Sequence, residues 1–494
     1  MKYYWGQKMN ISTSNLAKEI EGKLYGPDMD LKGNFTFLNT ASMNDIVIRH
    51  WINDKGIQIA YEKGVSCLIT QDAKDNSIQT AQELGLPLIV THHIEYATAY
   101  ALKHSVKAYA PDAFKMAVTG TNGKSTTTHL LFTIFSDLNY NTYTNTDAES
   151  EGNTLIDPRV SYELAEYYKS NGEIEVISLE VSEVQGWDDK LMENHSYQMI
   201  DALATDVSVI TNASFDHMNL VESFDELLYE IEGAARALNN QNKETLLVLN
   251  YDDENIRKMN NVVLENPNVT VMYFGNYDNE KLLDISYKEN EGIFSGNTLY
   301  IEYGDLPFTS LHFIQDIMAA IAVCEYKGLD KDKVINSLKG YKPLARRFIK
   351  LRDNPVIIDD FAHNPSGIQL TIENGAKLGE KLFVVDAIRG SRGDDINCEI
   401  AEALANTLKD KDDYTLLLTC SRDVVNHLNT VTDNELKVFT ETLDAKGIEY
   451  TVLDTLEEAL IKSYELAAEE DVILLLGAQG MDPASGILAK NNII

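Results

Sequence analysis

Short runs of consecutive apolar residues alternate along this chain with longer stretches in which apolar positions recur every third or fourth residue. The first kind reads as strands buried on both faces, the second as amphipathic helices. After Phe114 the alternation becomes regular: MAVTG, a helix over STTTHLLFTIFSDL, a polar loop through Asn153, and a helix over IDPRVSYELAEYYKS with Asp157 and Pro158 at its N-cap and first turn. IEVISLEVS, DVSVITNAS, a helix over roughly 223–239, TLLVLN and VTVMYFG follow, a parallel, doubly wound pattern. A hairpin-like GIFSGNTLYIEYG precedes helices near IMAAIAVCEYKG and DKDKVINSLKG.

Ahead of this region the pattern is weaker. NFTFLN alternates like a strand, DIVIRHWINDKGIQIAYEKG has helical spacing throughout, and VSCLIT and LPLIVT read as buried strands, with Ala110-Pro111-Asp112 as a linker. Beyond Arg347 a second open sheet is expected from PVIIDDFAH, KLFVVDAI, YTLLLTC, IEYTVLD and DVILLLGAQG, each followed by a helical stretch or a glycine loop. The fold class is therefore α/β in three domains: a small N-terminal α/β domain over 1–112, a central mostly parallel sheet with a phosphate loop over 113–344, and a Rossmann-like domain over 345–494.

The chemistry concentrates in AVTGTNGKSTTT. Gly120, Thr121, Asn122 and Gly123 form a turn between a strand and a helix, and Lys124, Ser125 and Thr126 open that helix. Glycines let the backbone approach an anion, a helix N-terminus offers unpaired N–H groups, lysine adds a full charge, and a serine hydroxyl suits magnesium. The strict spacing of GxxxxGK[ST] is not met, because Val118 stands where the first glycine would fall. Strand C-termini of a doubly wound sheet face the ligand crevice, so Glu180 at the end of IEVISLE is a candidate magnesium ligand. Asn212, Asp216 and His217 in TNASFDHMN reach the same edge, with His217 a candidate for a second metal position. His92 and His93 are assigned to packing, since neighbours on a strand face opposite ways and nothing nearby completes a metal site.

Composition restricts the partners. A formal net charge of −35 argues against a nucleic-acid footprint and leaves Lys124 and the Arg346-Arg347 pair as the local basic exceptions able to hold ATP. The 4 cysteines are scattered, which suits a reducing compartment, and neither a signal peptide nor a membrane-spanning run is seen, so the expectation is a cytoplasmic, monomeric enzyme without a membrane partner.

Taken in order, TGTNGKSTTT, LEVSE, TNASFDHMN, LNYDDE, ARRF and DDFAHNP resemble the Mur ligase family, ATP-dependent amide-forming enzymes that build cell-wall peptides. The resemblance covers roughly residues 114–400 and implies ATP and magnesium as cofactors, with a UDP-linked peptide precursor and an amino acid as substrates. It implies that Lys124 contacts the terminal phosphates, that Ser125 and Glu180 hold one magnesium and His217 another, and that Asn250 and Asp252 lie near the adenine. It further implies Arg347, or Arg346 in the alternative register, on a phosphate, Asp360 on the ribose, and His363 and Asn364 at the domain interface. The family's reaction phosphorylates a carboxylate, and an amine attacks the acyl phosphate.

Departures from the family's pattern are also informative. Many members carry a lysine about fourteen to sixteen residues after the Asp-His pair, whose carbamate helps hold the second magnesium. Here that window reads LYEIEGAARA, leaving Glu230 or Glu232 to supply a carboxylate. Where bacterial enzymes adding diaminopimelate have an Asn-Pro-Arg segment, this chain reads TCSRD, with Arg422 a candidate carboxylate contact. RGSRGDD places Arg389 and Arg392 around an anion-binding turn, and Arg159 is a further substrate candidate. The N-terminal domain lacks a clear version of the bacterial muramoyl-binding segment, and together with RGSRGDD and GAQGMDPAS this looks closer to the pseudomurein peptide ligases than to a bacterial muramyl ligase. Alternatives are a folylpolyglutamate or amino-acid-polymer ligase and, from another class, a nucleotide-switch or transport ATPase.

Overall fold

The computed structural model describes residues 11–146, 159–187, 190–214, 220–278, 283–308, 310–409, 411, 413–427 and 429–494. Asp157, Pro158, Asp216 and His217 lie outside the described residues. The chain forms two compact units, the second made mainly of Lys342–Ile494.

Within the first unit, a five-stranded sheet orders Gly22–Tyr25, Leu88–Thr91, Cys67–Ala73, Ile46–Ile52 and Phe35–Thr36, parallel except at its first pair. The expected helix over DIVIRHWINDKGIQIAYEKG is corrected here. Ile46–Ile52 is a strand, and the helix begins only at Asp54, capped by Asn53, whose side chain accepts from the Gly56 N–H at 3.1 Å. Ile46, Val47, Ile48 and Ile52 are β-branched and buried, which favours a pleated element over a helix. His93 pairs with Glu95 at 2.9 Å and stacks on Tyr96 at 4.9 Å.

The same unit holds a nine-stranded sheet. Its order is Thr298–Glu302, Gly292–Ser295, Ile285–Lys288, Val269–Asn276, Thr245–Asn250, Val207–Ile210, Phe114–Thr119, Val176–Glu180 and Thr142–Thr144. All its pairs are parallel except the two at one edge, where Gly292–Ser295 runs antiparallel to both Ile285–Lys288 and Thr298–Glu302. Phe114–Thr119 sits between Val207–Ile210 and Val176–Glu180, so the connections leaving it and its neighbours diverge at this point. That is the position at which an open α/β sheet leaves a crevice for a ligand.

The second unit is a six-stranded sheet, ordered Ile349–Asp353, Val356–Asp360, Val472–Leu476, Leu382–Ala387, Tyr414–Thr419 and Thr451–Leu453. Helices Pro365–Gly375, Asp394–Leu408 and Asp433–Ala445 cover one face through Ile368, Leu404 and Phe439. Helices Leu456–Leu466 and Ala484–Lys490 cover the other through Leu460 and Leu488. Parallel strands covered on both faces explain why VILLL and LFVVDA read as near-continuous apolar runs.

One carboxylate organises the helix layer of this unit. Glu435 closes a capping box with Thr432 and also accepts the backbone N–H groups of Ser391, Arg392 and Gly393 at 3.2, 2.9 and 3.0 Å. Burial pushes its carboxyl up, but the hydrogen bonds from Thr432, Gly393 and Ser391 outweigh this and hold it below the usual 4.5. Glu435→Gln should lower the unfolding free energy by about 2 kcal/mol near neutral pH, because charge-assisted hydrogen bonds weaken to neutral ones. A group with a depressed folded pKa stabilises above its free value and loses that contribution as pH falls through the folded one. Urea titrations of the two proteins should therefore differ at pH 7 and draw together as the pH falls below the usual carboxylate range.

Candidate active site

The phosphate loop is fixed by sterics before any ligand is considered. Gly120 and Gly123 have φ of +118° and +86°, where side chains are strained. A Cβ at Gly120 would meet Thr211 Oγ1 at 2.3 Å, and one at Gly123 would meet Asp316 Oδ1 at 2.2 Å. Between them, the Thr121 N–H donates to the Asn212 carbonyl at 2.9 Å and the Asn122 N–H to Asn212 Oδ1 at 2.9 Å. Asn212 Nδ2 and Thr211 Oγ1 return hydrogen bonds to the Asn122 carbonyl at 2.8 and 2.6 Å. The loop is thus clamped by the two residues that follow strand Val207–Ile210.

Lys124, at the first position of helix Lys124–Asp137, folds back over this loop. Its Nζ donates to the carbonyls of Gly120 and Thr121 at 2.7 and 2.9 Å and pairs with Glu183 at 2.7 Å. Ser125 and Thr126 follow it, both buried at the helix start. Glu183 carried no signal in the sequence, because it lies beyond the strand end in LEVSE. Asp316 has no signal in the sequence either. It is 4% exposed, accepts from Thr127 Oγ1 at 3.2 Å, and backs the loop from helix Leu311–Lys327.

Glu180 is brought to the loop by sheet register, since it pairs with Val118, two residues before Gly120. Its backbone is held by Asn145, whose Oδ1 accepts the Glu180 N–H at 2.8 Å and whose Nδ2 donates to the Glu180 carbonyl at 2.9 Å. Asn145 follows Thr142–Thr144, a strand too short to announce itself in the sequence. Glycines that a Cβ would fill, a lysine and serine at a helix start, and a strand-end carboxylate form a donor set that fits a nucleotide phosphate with magnesium. Among the described residues no group of three or more His, Cys, Asp or Glu side chains converges as a metal cluster.

Other expected site residues have protein partners of their own. Glu230 accepts the Asn194 and His195 N–H groups at 2.9 and 3.1 Å, capping helix His195–Leu203, so its carboxylate is committed. Glu232 is two residues further on, about 200° round the same helix. Asp252 accepts the Asn276 N–H at 2.9 Å and Gln315 Nε2 at 3.2 Å, while Asn250 Oδ1 accepts the Asp252 N–H at 3.0 Å. These two residues tie strand ends and helix Leu311–Lys327 together. Arg159 lies on the exposed face of its helix, paired with Glu163 at 2.7 Å.

In the second unit, Arg346 is 6% exposed and bound to Asp359 at 3.1 Å, to the Ala478 carbonyl at 3.0 Å, and to Asp482 and the Gly477 carbonyl. Burial pushes Asp359 up to about 6 against the pull of this guanidinium. Arg346 is therefore a structural plug. The guanidinium of Arg347 lies 4.9 Å from the Phe361 ring centroid, and that of Arg346 lies 5.2 Å from the same ring. Asp360 is buried and accepts the N–H groups of Phe348 and Ala362 at 2.7 and 2.9 Å and the Thr371 Oγ1 hydroxyl at 3.1 Å. Asn364 caps helix Pro365–Gly375 by accepting the Gly367 N–H at 2.8 Å, and the His363 Nδ1 lies 2.8 Å from the Phe361 carbonyl oxygen.

RGSRGDD is an anion-binding turn, as its shape implied, but Glu435 of the same unit occupies it. The side chain of Arg392 remains exposed, that of Arg389 half-buried, and Arg422 lies 3.8 Å from Asp433 at the surface. One acid at this sheet end has no such engagement. Asp386, at the end of strand Leu382–Ala387, is 2% exposed, its Oδ2 has no hydrogen-bond partner, and burial alone pushes its carboxyl up to about 7.

Comparison with known proteins agrees with this geometry. Residues 118–324 match the Mur ligase middle domain, and residues 346–479 match the Mur ligase, glutamate ligase domain. A UDP-N-acetylmuramoylalanine--D-glutamate ligase of Clostridioides difficile (strain 630) is 25% identical over 368 residues, 73% of this chain and 69% of that protein. A UDP-N-acetylmuramoyl-L-alanyl-D-glutamate--2,6-diaminopimelate ligase of Halalkalibacterium halodurans is 24% identical over 414 residues, 80% of this chain and 79% of that protein. The crystal structure of MurF from Acinetobacter baumannii superposes with a TM-score of 0.67 at 16% identity, covering 98% of this chain and 99% of the other, a likeness of fold. The chain belongs to the Mur ligase family, the ATP- and magnesium-dependent ligases that join a carboxylic acid to an amino acid and release ADP.

Proposed function

We propose that this chain extends a UDP-linked cell-wall peptide precursor by one amino acid, in a pathway of the pseudomurein kind. The observation that carries the reading is the clamped loop Gly120–Gly123 with Lys124 over it and Glu180 in register beside it. The TCSRD segment, which stands where diaminopimelate-adding bacterial enzymes have Asn-Pro-Arg, and the RGSRGDD and GAQGMDPAS segments support the finer placement.

Within this reading Lys124 exchanges loop carbonyls and Glu183 for the terminal phosphates, drawn by their greater charge. Ser125, Glu180 and His217 would hold magnesium, which when bound neutralises the transferring phosphoryl group. With Glu230 committed as a helix cap, Glu232 is the carboxylate proposed in place of a carbamylated lysine. Arg347, rather than the plugged Arg346, is the proposed phosphate contact of the second unit. Among the described residues no helix is long and apolar enough to cross a membrane.

The direct test is phosphate release with ATP and magnesium over a grid of UDP-linked peptides, folates and amino acids, with product masses. An amide with a UDP-peptide is expected. Phosphate release without an acceptor amine and without a new amide would refute the proposal. Lys124→Ala should lower turnover by about 100-fold or more, and it also strands Glu183. Adding Glu183→Gln should then recover thermal stability but not turnover. Glu230→Gln should lower the melting temperature and leave the magnesium dependence of the rate in place, whereas Glu232→Gln should raise the magnesium concentration needed for half-maximal rate. Equal magnesium curves for Glu232→Gln and the native protein would remove Glu232 from the metal site.

A further inference from the structure

The strand order of the second unit creates two crevices at the carboxyl ends, one on each side of Val472–Leu476. The chain leaves that strand toward helix Ala484–Lys490 on one face, while it leaves Val356–Asp360 and Leu382–Ala387 toward Pro365–Gly375 and Asp394–Leu408 on the other. Such divergences are where open α/β sheets take ligands. The crevice beside Val356–Asp360 is closed by the chain itself, because Arg346 binds Asp359, Asp482 and the carbonyls of Gly477 and Ala478.

Asp386 stands on the other side of the same strand. It is in register with Leu476 on one neighbour and Leu418 on the other, both buried, and shares its face with Val384. Leucines wall it in laterally and the strand lies below it, so the approach is from beyond the strand ends. Three other acids at this end of the unit are satisfied: Asp359 by Arg346, Asp360 by two N–H groups and a hydroxyl, and Glu435 by the turn at Ser391–Gly393. Asp386 Oδ2 has no partner, and a buried carboxylate oxygen left so is costly unless a cation or donor arrives from outside.

Resting on the ligase reading above, we propose that Asp386 is a specificity-determining residue for the amine donor, holding an ammonium group of the incoming amino acid that does not react. The attacking amine must be unprotonated to use its lone pair on an acyl phosphate, so it is not the group paired with a carboxylate. The donor is therefore an amino acid with two amines, one acylated and the other held by Asp386.

The test uses the full chain with ATP, magnesium and the UDP-linked peptide that supports turnover, titrated with L-lysine, meso-2,6-diaminopimelate and L-norleucine, the last an isostere of lysine without its second amine. The native protein should show a KM for one of the diamines about 10- to 100-fold below that for norleucine, the range of a charge-assisted hydrogen bond. Asp386→Asn, close in shape and neutral, should erase that preference by raising the diamine KM, with kcat at saturation changed little and the circular dichroism and melting temperature not reduced. A native enzyme that makes its amide equally well from norleucine, or an Asp386→Asn variant that keeps the preference, overturns the inference and leaves the ligase reading standing. Absence of any amide from any donor overturns the ligase reading itself.

Discussion

The Asn122 peptide is gripped from both sides, its N–H on Asn212 Oδ1 and its carbonyl under Asn212 Nδ2 and Thr211 Oγ1. Everything else in the nucleotide half follows from that grip. It holds the loop in the left-handed conformations of Gly120 and Gly123, which aim the start of helix Lys124–Asp137, which in turn sets where Lys124 and Ser125 stand. The clamp comes from the neighbouring strand rather than the loop itself, so loop geometry and sheet register are one constraint. Val118 could replace the first glycine of the stricter motif because the loop is narrower and gains its rigidity laterally.

The strand-helix alternation after Phe114 was legible because fully buried parallel strands must be apolar on both faces, a pattern that survives without any knowledge of contacts. The same logic should have flagged DIVIRHWI. Its helical reading arose because the true helix Asp54–Glu62 begins directly behind it and lends its spacing to the window. The loop residues Gly120–Ser125 and the strand-end Glu180 were legible because their chemistry is local or set by a strand terminus. Glu183, Asn145 and Asp316 were not, since each acts through a partner remote in sequence or just past a strand end.

Four of the candidate residues share one physical situation. Asp360, Asn364, Asp252 and Glu230 are polar groups at strand or helix ends, where a ligand site and an orphaned backbone N–H compete for the same side chain. Sequence shows the group and its position but not which claimant is nearer. In all four, backbone hydrogen bonds hold the side chain. Asp386 differs because the strand is paired on both sides, which spends the neighbouring backbone N–H groups on the ladders, and the side chains in register are leucines, which carry no donor.

Glu435 sits in the turn that its neighbours' sequence advertised for an external anion. Because the chain carries its own occupant, the backbone of Ser391–Gly393 is already ordered while Arg392 projects outward. The ordering entropy of that loop is charged to folding and not to substrate capture. The frame beneath Arg389 and Arg392 is therefore set by the chain itself and does not depend on what those two side chains meet.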